Sequence, residues 1–165
     1  MYDVANKTPI TFATNLSSKL NNDVFLKRED MQPIFSFKVR GAYNKISNLN
    51  QQQKNKGVIT ASAGNHAQGV ANACKKLKVP CFIVMPVTAP EIKVKSVKRF
   101  GSKVLLHGDN FDQASKKARQ MAKEQKLEFI EAFDDPLTIA GQGTVGKEIL
   151  DEHNELDVIF VPVGG

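Results

Sequence analysis

Three short segments carry residue types able to do chemistry. The first is Ser36-Phe37-Lys38-Val39-Arg40-Gly41. A lysine between an aromatic and a β-branched residue, at a helix start, is open to partial desolvation. Burial lowers an amine from its usual pKa of about 10.4, and the free base can attack a carbonyl to form a Schiff base. The plainer alternative is a surface lysine on an amphipathic helix. On these residues alone that alternative is the stronger, because lysine is mostly exposed. The second segment is Ser62-Ala63-Gly64-Asn65-His66-Ala67-Gln68-Gly69, between a strand signal and a helix signal. Such a junction offers unpaired backbone N–H groups and the positive end of a helix dipole to a carboxylate or phosphate. The Asn65 side chain can also donate to a ring oxygen, and an ordinary capped turn fits the same residues equally well. The third is Val161-Pro162-Val163-Gly164-Gly165. Glycines after a parallel strand let the backbone fold around an anion.

A fourth pattern is a decoy. Gly141-Gln142-Gly143-Thr144-Val145-Gly146 spells G-x-G-x-x-G, but that fingerprint must follow a strand directly. Here residues 135–140 read as the opening of a helix, so nicotinamide binding is set aside. Cys74 and Cys81 lie in apolar contexts and read as buried free thiols, too few for a disulfide framework. Three histidines without paired spacing give no metal signature, and none is expected to bind one.

The elements that must position these segments alternate in type. Residues 58–61 and 81–85 read as strands, the second a continuous apolar run of the kind buried on both faces. Between them residues 65–77 read as a helix. Pro90 opens a helix through Phe100 from the first helical position, with Ile92, Val97 and Phe100 on its inward side. A third strand is expected at 104–106 and a fourth at 129–130. The helix between them is capped by Asp109 or Asn110, with Phe111, Ala114, Ala118, Met121 and Ala122 at helical spacing. Repeated strand-helix-strand units imply an α/β fold with a parallel sheet and right-handed crossovers. Short strands and a helix at 36–49 precede this block; a helix from 135 to about 153 and a strand at 158–161 follow it. The expected organisation is a small α/β lobe at 57–136 inserted between two pieces, 1–56 and 137–165, of a larger lobe. A terminal parallel strand with nothing returning from it makes that larger lobe look incomplete.

Composition narrows the class. Hydrophobic residues at 41% and charged residues at 24% are those of a water-soluble globular chain. No apolar run approaches the roughly 20 residues of a membrane span, and the N-terminus lacks a signal peptide's basic and apolar regions, so a cytoplasmic location is expected. The 23 basic residues exceed the 17 acidic ones for a net charge of +6. Lysines near 75–78 and 93–103 read as solvated helix faces rather than a nucleic-acid surface, since no recognition motif accompanies them.

Taken together, the segments resemble the threonine dehydratases, of the tryptophan-synthase-β-like (fold type II) pyridoxal-phosphate enzymes. The resemblance runs from Thr8-Pro9 to the last residue. It includes Lys27-Arg28-Glu29-Asp30-Met31-Gln32-Pro33, Gly57-Val58-Ile59-Thr60-Ala61, Leu106-His107-Gly108-Asp109-Asn110-Phe111 and Ile139-Ala140-Gly141-Gln142-Gly143-Thr144. It reverses the local reading of Lys38. By this resemblance Lys38 carries pyridoxal 5'-phosphate and is the catalytic base, while Phe37 packs near the ring. Asn65 bonds the cofactor's 3-hydroxyl oxygen. Ser62, Ala63, Gly64, Asn65 and His66 form the loop that receives the substrate carboxylate, and Gly164 and Gly165 begin the phosphate loop.

The implied reaction is β-elimination of L-threonine to 2-oxobutanoate and ammonia, the first step of isoleucine synthesis, with L-serine as another possible substrate. Cysteine synthases and threonine synthases usually have Asp where Val39 stands, and serine racemases place a serine acid/base group where Ala63 stands. Ala63 therefore favours elimination over racemisation. The segment from Lys27 to Pro33 is closer to biosynthetic than to catabolic dehydratases. The chain is expected to be the N-terminal part of the catalytic region, inactive alone, within a homo-oligomeric protein. A non-catalytic product is the competing reading, and a catabolic serine/threonine ammonia-lyase is the alternative within the family.

Overall fold

The computed structural model describes residues 1–162. In chain order the elements are β1 (Ile10–Phe12), α1 (Thr14–Leu20), β2 (Phe25–Lys27), a single 3-10 turn (Glu29–Met31), α2 (Lys38–Ser47), α3 (Gln51–Lys56), β3 (Val58–Ala61), α4 (Asn65–Leu77), β4 (Cys81–Met85), α5 (Glu91–Lys98), β5 (Lys103–Leu106), α6 (Phe111–Gln125), β6 (Glu128–Phe129) and α7 (Pro136–Glu152). β1 and β2 form an antiparallel pair, with Thr11 opposite Leu26. The other four strands form one parallel sheet in the order β5-β4-β3-β6.

Alternation along these strands sends successive side chains to opposite faces. Val58, Ile83 and Met85 join Ala67, Val70 and Cys74 of α4, and this core continues into Ala42 and Ile46 of α2. Ile59, Ala61 and Val84 meet Ala114 and Ala118 of α6 on the other face. A sheet covered on both sides explains why β4 reads as an unbroken apolar run and why all of β3 is buried, its one polar side chain, Thr60, being bonded to the Ile130 carbonyl. Cys74 and Cys81 are both buried free thiols within the α4 side.

Differences from the sequence expectations are local. Pro90 is the N-cap of α5, with extended ψ of 138°, rather than its first helical residue. Ile92 is 73% exposed, and Val94 faces the core with Val97 instead. Helical spacing allows either stripe, and packing against α4 selects one. Phe111 likewise faces outward while Ala114 and Ala118 turn inward against the sheet, with Met121 and Ala122 partly buried beside them. Residues 158–161 form no strand and are exposed, since no described strand pairs with them. β6 begins one residue earlier than expected, and Ile130 still donates its N–H to the Ile59 carbonyl. Helices α1 and α3 were not anticipated; α3 opens on a reciprocal capping box between Asn50 and Gln53.

Candidate active site

Lys38 is the first residue of α2; the N-cap residue Phe37 makes no side-chain bond to the helix, and the Ser36 hydroxyl accepts from the Lys38 N–H at 3.3 Å. The Lys38 backbone is also held by close approach. A Cβ on Gly69 would stand 2.7 Å from the Lys38 carbonyl oxygen, so only glycine lets α4 come this near. On the other flank, a Cβ on Gly141 would stand 2.6 Å from Gly41 Cα and 2.8 Å from the Arg40 carbonyl oxygen. Helix α2 is therefore gripped between α4 and α7 through glycines on both sides.

The Lys38 amine donates to the Ala132 carbonyl at 2.9 Å and lies 5.3 Å from the Phe37 ring centroid. The side chain is half-buried, and this desolvation pulls its pKa below the ordinary 10.5. That is the direction a nucleophilic amine requires.

β3 ends at Ala61 and the chain turns through Ser62, Ala63 and Gly64 into α4. Ser62 donates its N–H to the Val84 carbonyl at 3.2 Å, and its hydroxyl accepts from Gly64 N–H at 3.1 Å. No side chain caps α4, whereas Asn110 caps α6 and Asp135 caps α7. The first-turn N–H groups of α4 therefore have no side-chain partner from its N-cap residue, as is also true of α1, α2 and α5. Asn65, its first residue, is exposed.

His66 follows and is buried. Its Nε2 lies 3.1 Å from the Ile130 carbonyl oxygen, an acceptor only, so Nε2 carries the proton and Nδ1 a lone pair. Among the described residues Nδ1 has no partner. Burial drives the imidazole pKa down to about 4; the Ile130 bond opposes this and the Lys38 charge adds to it. The Ile130 carbonyl also accepts from the Thr60 hydroxyl at 2.8 Å. The segment after β6 thus holds His66 at residue 130 and Lys38 at residue 132.

Sequence reasoning named Lys38, Phe37 and the 62–66 turn, and the structure brings Lys38 and His66 within electrostatic reach. Phe37 sits at the N-cap of α2, partly exposed. Gly164 and Gly165 lie outside the described residues. Missed entirely was an ion cluster behind Lys38. Arg40 is fully buried and pairs with Glu29 at 2.7 Å and Glu148 at 2.6 Å. Lys27 meets Glu148 at 2.7 Å, and Tyr2 donates to Glu148 at 2.7 Å. Burial would raise the Glu148 carboxyl, but bonds from Arg40, Lys27 and Tyr2 outweigh it and hold the pKa at about 2. Arg40, Lys27 and Glu29 all lie in segments singled out above, but nothing in the sequence tied them to one another or to Glu148. The G-x-G-x-x-G pattern lies inside α7, where Gly141 serves helix packing.

A doubly covered parallel sheet that delivers an uncapped helix beside a desolvated lysine defines an α/β protein with the architecture of the fold type II pyridoxal-phosphate enzymes. A family model described as "Pyridoxal-phosphate dependent enzyme" matches residues 2–165, and the chain belongs to that family. It is 54% identical to the mitochondrial threonine dehydratase of Saccharomyces cerevisiae, over 100% of this chain and 29% of that protein. With the biosynthetic L-threonine dehydratase of Pasteurella multocida the identity is 53%, over 100% of this chain and 32% of the relative. Among solved structures, the processed form of threonine deaminase isoform 2 from Solanum lycopersicum superposes with a TM-score of 0.97 at 49% identity, covering 99% of this chain and 45% of that one. Maize serine racemase gives 0.90 at 34% identity, covering 94% and 47%. The chain thus spans about a third of the length of the curated relatives it matches.

Proposed function

We propose that the protein containing this chain deaminates L-threonine to 2-oxobutanoate and ammonia by β-elimination, with Lys38 as the cofactor-bearing lysine. The observation that carries this reading is identity above 50% to threonine dehydratases along the whole chain, with Lys38 desolvated next to an uncapped helix start.

The residues suit pyridoxal phosphate and an amino-acid substrate on three counts. The Lys38 amine is partly desolvated, the first turn of α4 is free of a side-chain cap, and a buried imidazole nitrogen stands without a protein partner. When bound, the cofactor supplies the electron withdrawal that makes a Cα proton removable. Lys38 Nζ takes that proton, and its lowered pKa keeps a larger share of the amine in the basic form. The first-turn N–H groups of α4, with the 62–64 turn, hold the substrate carboxylate. Asn65 would hold the cofactor ring oxygen, and Phe37 would lie beside the ring. Ala63 offers no hydroxyl that could return a proton to Cα, which directs the reaction to elimination. Gly164 and Gly165 belong to the phosphate loop in the same proposal, as does the division into a 57–136 lobe and a larger lobe built from 1–56 and 137–165.

L-serine is the second substrate to test. No helix of the described residues is long and apolar enough to cross a membrane. A cytoplasmic, homo-oligomeric enzyme of isoleucine synthesis completes the proposal; relatives named mitochondrial and chloroplastic make tagged localisation the deciding measurement.

The test is spectroscopic and chemical. Mixed with pyridoxal phosphate, the protein containing this chain is expected to develop a visible absorption band. Borohydride should then fix the cofactor on the peptide holding Lys38, and Lys38→Ala should abolish both results and 2-oxobutanoate formation. Retention of the band in Lys38→Ala removes Lys38 from this role.

A further inference from the structure

We propose that Arg40 is a positioning residue for Lys38: its clamp on Glu29 and Glu148 fixes the first turn of α2, and with it the direction in which the Lys38 amine leaves the helix. The proposal builds on the reading of Lys38 as the cofactor lysine.

The first turn of a helix is its least constrained part, with N–H groups unpaired within the helix. In α2 that turn carries the reactive amine, and Phe37 at the N-cap gives it no side-chain bond. Its N–H groups are met by Ser36 Oγ at Lys38, 3.3 Å, and Gln142 Oε1 at Gly41, 3.1 Å, neither of which sets where the Lys38 side chain leaves the helix. Arg40 is two residues beyond Lys38. At about 100° per residue, its side chain leaves the helix on roughly the opposite side. It therefore pulls from behind without touching the amine.

The grip is specific to arginine. Nε and Nη2 meet the two Glu29 oxygens at 2.8 and 2.7 Å. Nη1 and Nη2 meet the two Glu148 oxygens at 2.6 and 2.9 Å. The remaining bonds go to the Thr144 hydroxyl at 3.0 Å and the Asn6 carbonyl at 3.2 Å. A planar fork bonded on both edges accepts one orientation, which a lysine ammonium cannot reproduce. The partners come from three places: the 3-10 turn, α7 and the N-terminal segment. Lys27 completes the charge balance on Glu148 and also bonds the Thr8 carbonyl at 2.6 Å. Two cations and two carboxylates leave the cluster neutral. Burying such ions adds little net stability, whereas their bond directions are demanding. The gain is geometric, and Lys38 sits at its output.

The test compares Arg40→Lys and the gentler Glu29→Gln with Lys45→Met. Lys45 lies in the last turn of the same helix and pairs with Asp135 at 2.8 Å, so this control removes a comparable ion pair. All are read in the protein containing this chain, at a temperature where circular dichroism shows each folded. Competitive acetic anhydride labelling across pH reports the Lys38 amine without any cofactor. Arg40→Lys, which keeps the cluster neutral, is expected to move its titration up by about one pH unit, slowing labelling at neutral pH about tenfold. Glu29→Gln adds a net positive charge that works against such a rise and is read on attachment alone. Lys45→Met should leave the titration unmoved. With pyridoxal phosphate, attachment at Lys38 should slow about tenfold in the same two variants. Unchanged labelling and attachment, with only thermal stability lowered as in Lys45→Met, would overturn the proposal. A shifted titration in a protein that never attaches the cofactor at Lys38 would uphold the positioning role and sink the cofactor reading instead.

Discussion

Between pH 6.5 and about 4 the buried His66 imidazole resists a proton that an unfolded chain would accept. The unfolded state binds more protons in that window, so stability rises with pH there and is fully present above 6.5. Lowering the pH from 6.5 to about 4 should cost roughly 3 kcal/mol from this one group. His66→Gln keeps a donor for the Ile130 carbonyl but does not titrate. Urea unfolding of the chain across this range should show a flatter dependence in His66→Gln than in the parent. Parallel curves would mean that His66 takes up its proton without opposition in the folded chain. Glu148 governs a lower window. Its folded pKa of about 2 lies below the ordinary 4.5, so the stability it contributes is present above 4.5 and lost as pH falls toward 2. The parent and His66→Gln should share this second loss, which separates the two groups in a single experiment.

At the scale of elements, the three glycines of residues 141–146 make a sharper test than the motif they spell. All lie in α7, where alanine is ordinarily preferred over glycine by about 1 kcal/mol. Gly143 and Gly146 have nothing within 4 Å of an added Cβ. Gly143→Ala and Gly146→Ala should therefore stabilise the chain by up to about 1 kcal/mol. Gly141→Ala would set its methyl 2.6 Å from the Gly41 backbone, and overpacking of about 1–3 kcal/mol should outweigh the propensity gain. Denaturant midpoints decide it: a dinucleotide-type turn would give no such split. The same contrast shows what a sequence can reveal. Helix 65–77 and strands 58–61 and 81–85 were legible because their periodicity and flanking signals are local. The inward stripe of α5 was not, since Ile92 and Val94 both satisfy a helical pattern and only the neighbouring helix chooses. Lys38 and the 62–66 turn were legible as residue types with chemistry. The Arg40 clamp was not, because Glu148 is 108 residues away and no spacing rule links them.

Across the whole molecule, apolar side chains and positive charge act in opposite directions. Phe12, Leu20 and Leu26 of the β1–α1–β2 unit are each about half exposed, and Phe12 packs edge-on to Phe25 at 5.4 Å. Exposed apolar groups gathered in one unit favour association. A net charge of +6 opposes it by mutual repulsion, over a range that salt shortens to about 10 Å at 0.1 M. The purified 165-residue chain should therefore self-associate more strongly as ionic strength rises, the reverse of an electrostatic contact. Sedimentation at low and high salt, at two protein concentrations, reads this as a weight-average mass that grows with both. Phe12→Ser combined with Phe25→Ser should lower the mass at high salt, because both rings lie in this unit and pack on each other. A mass that falls with salt would assign the contact to charge, and a constant monomer mass would mean that these side chains are too dispersed to act as a surface.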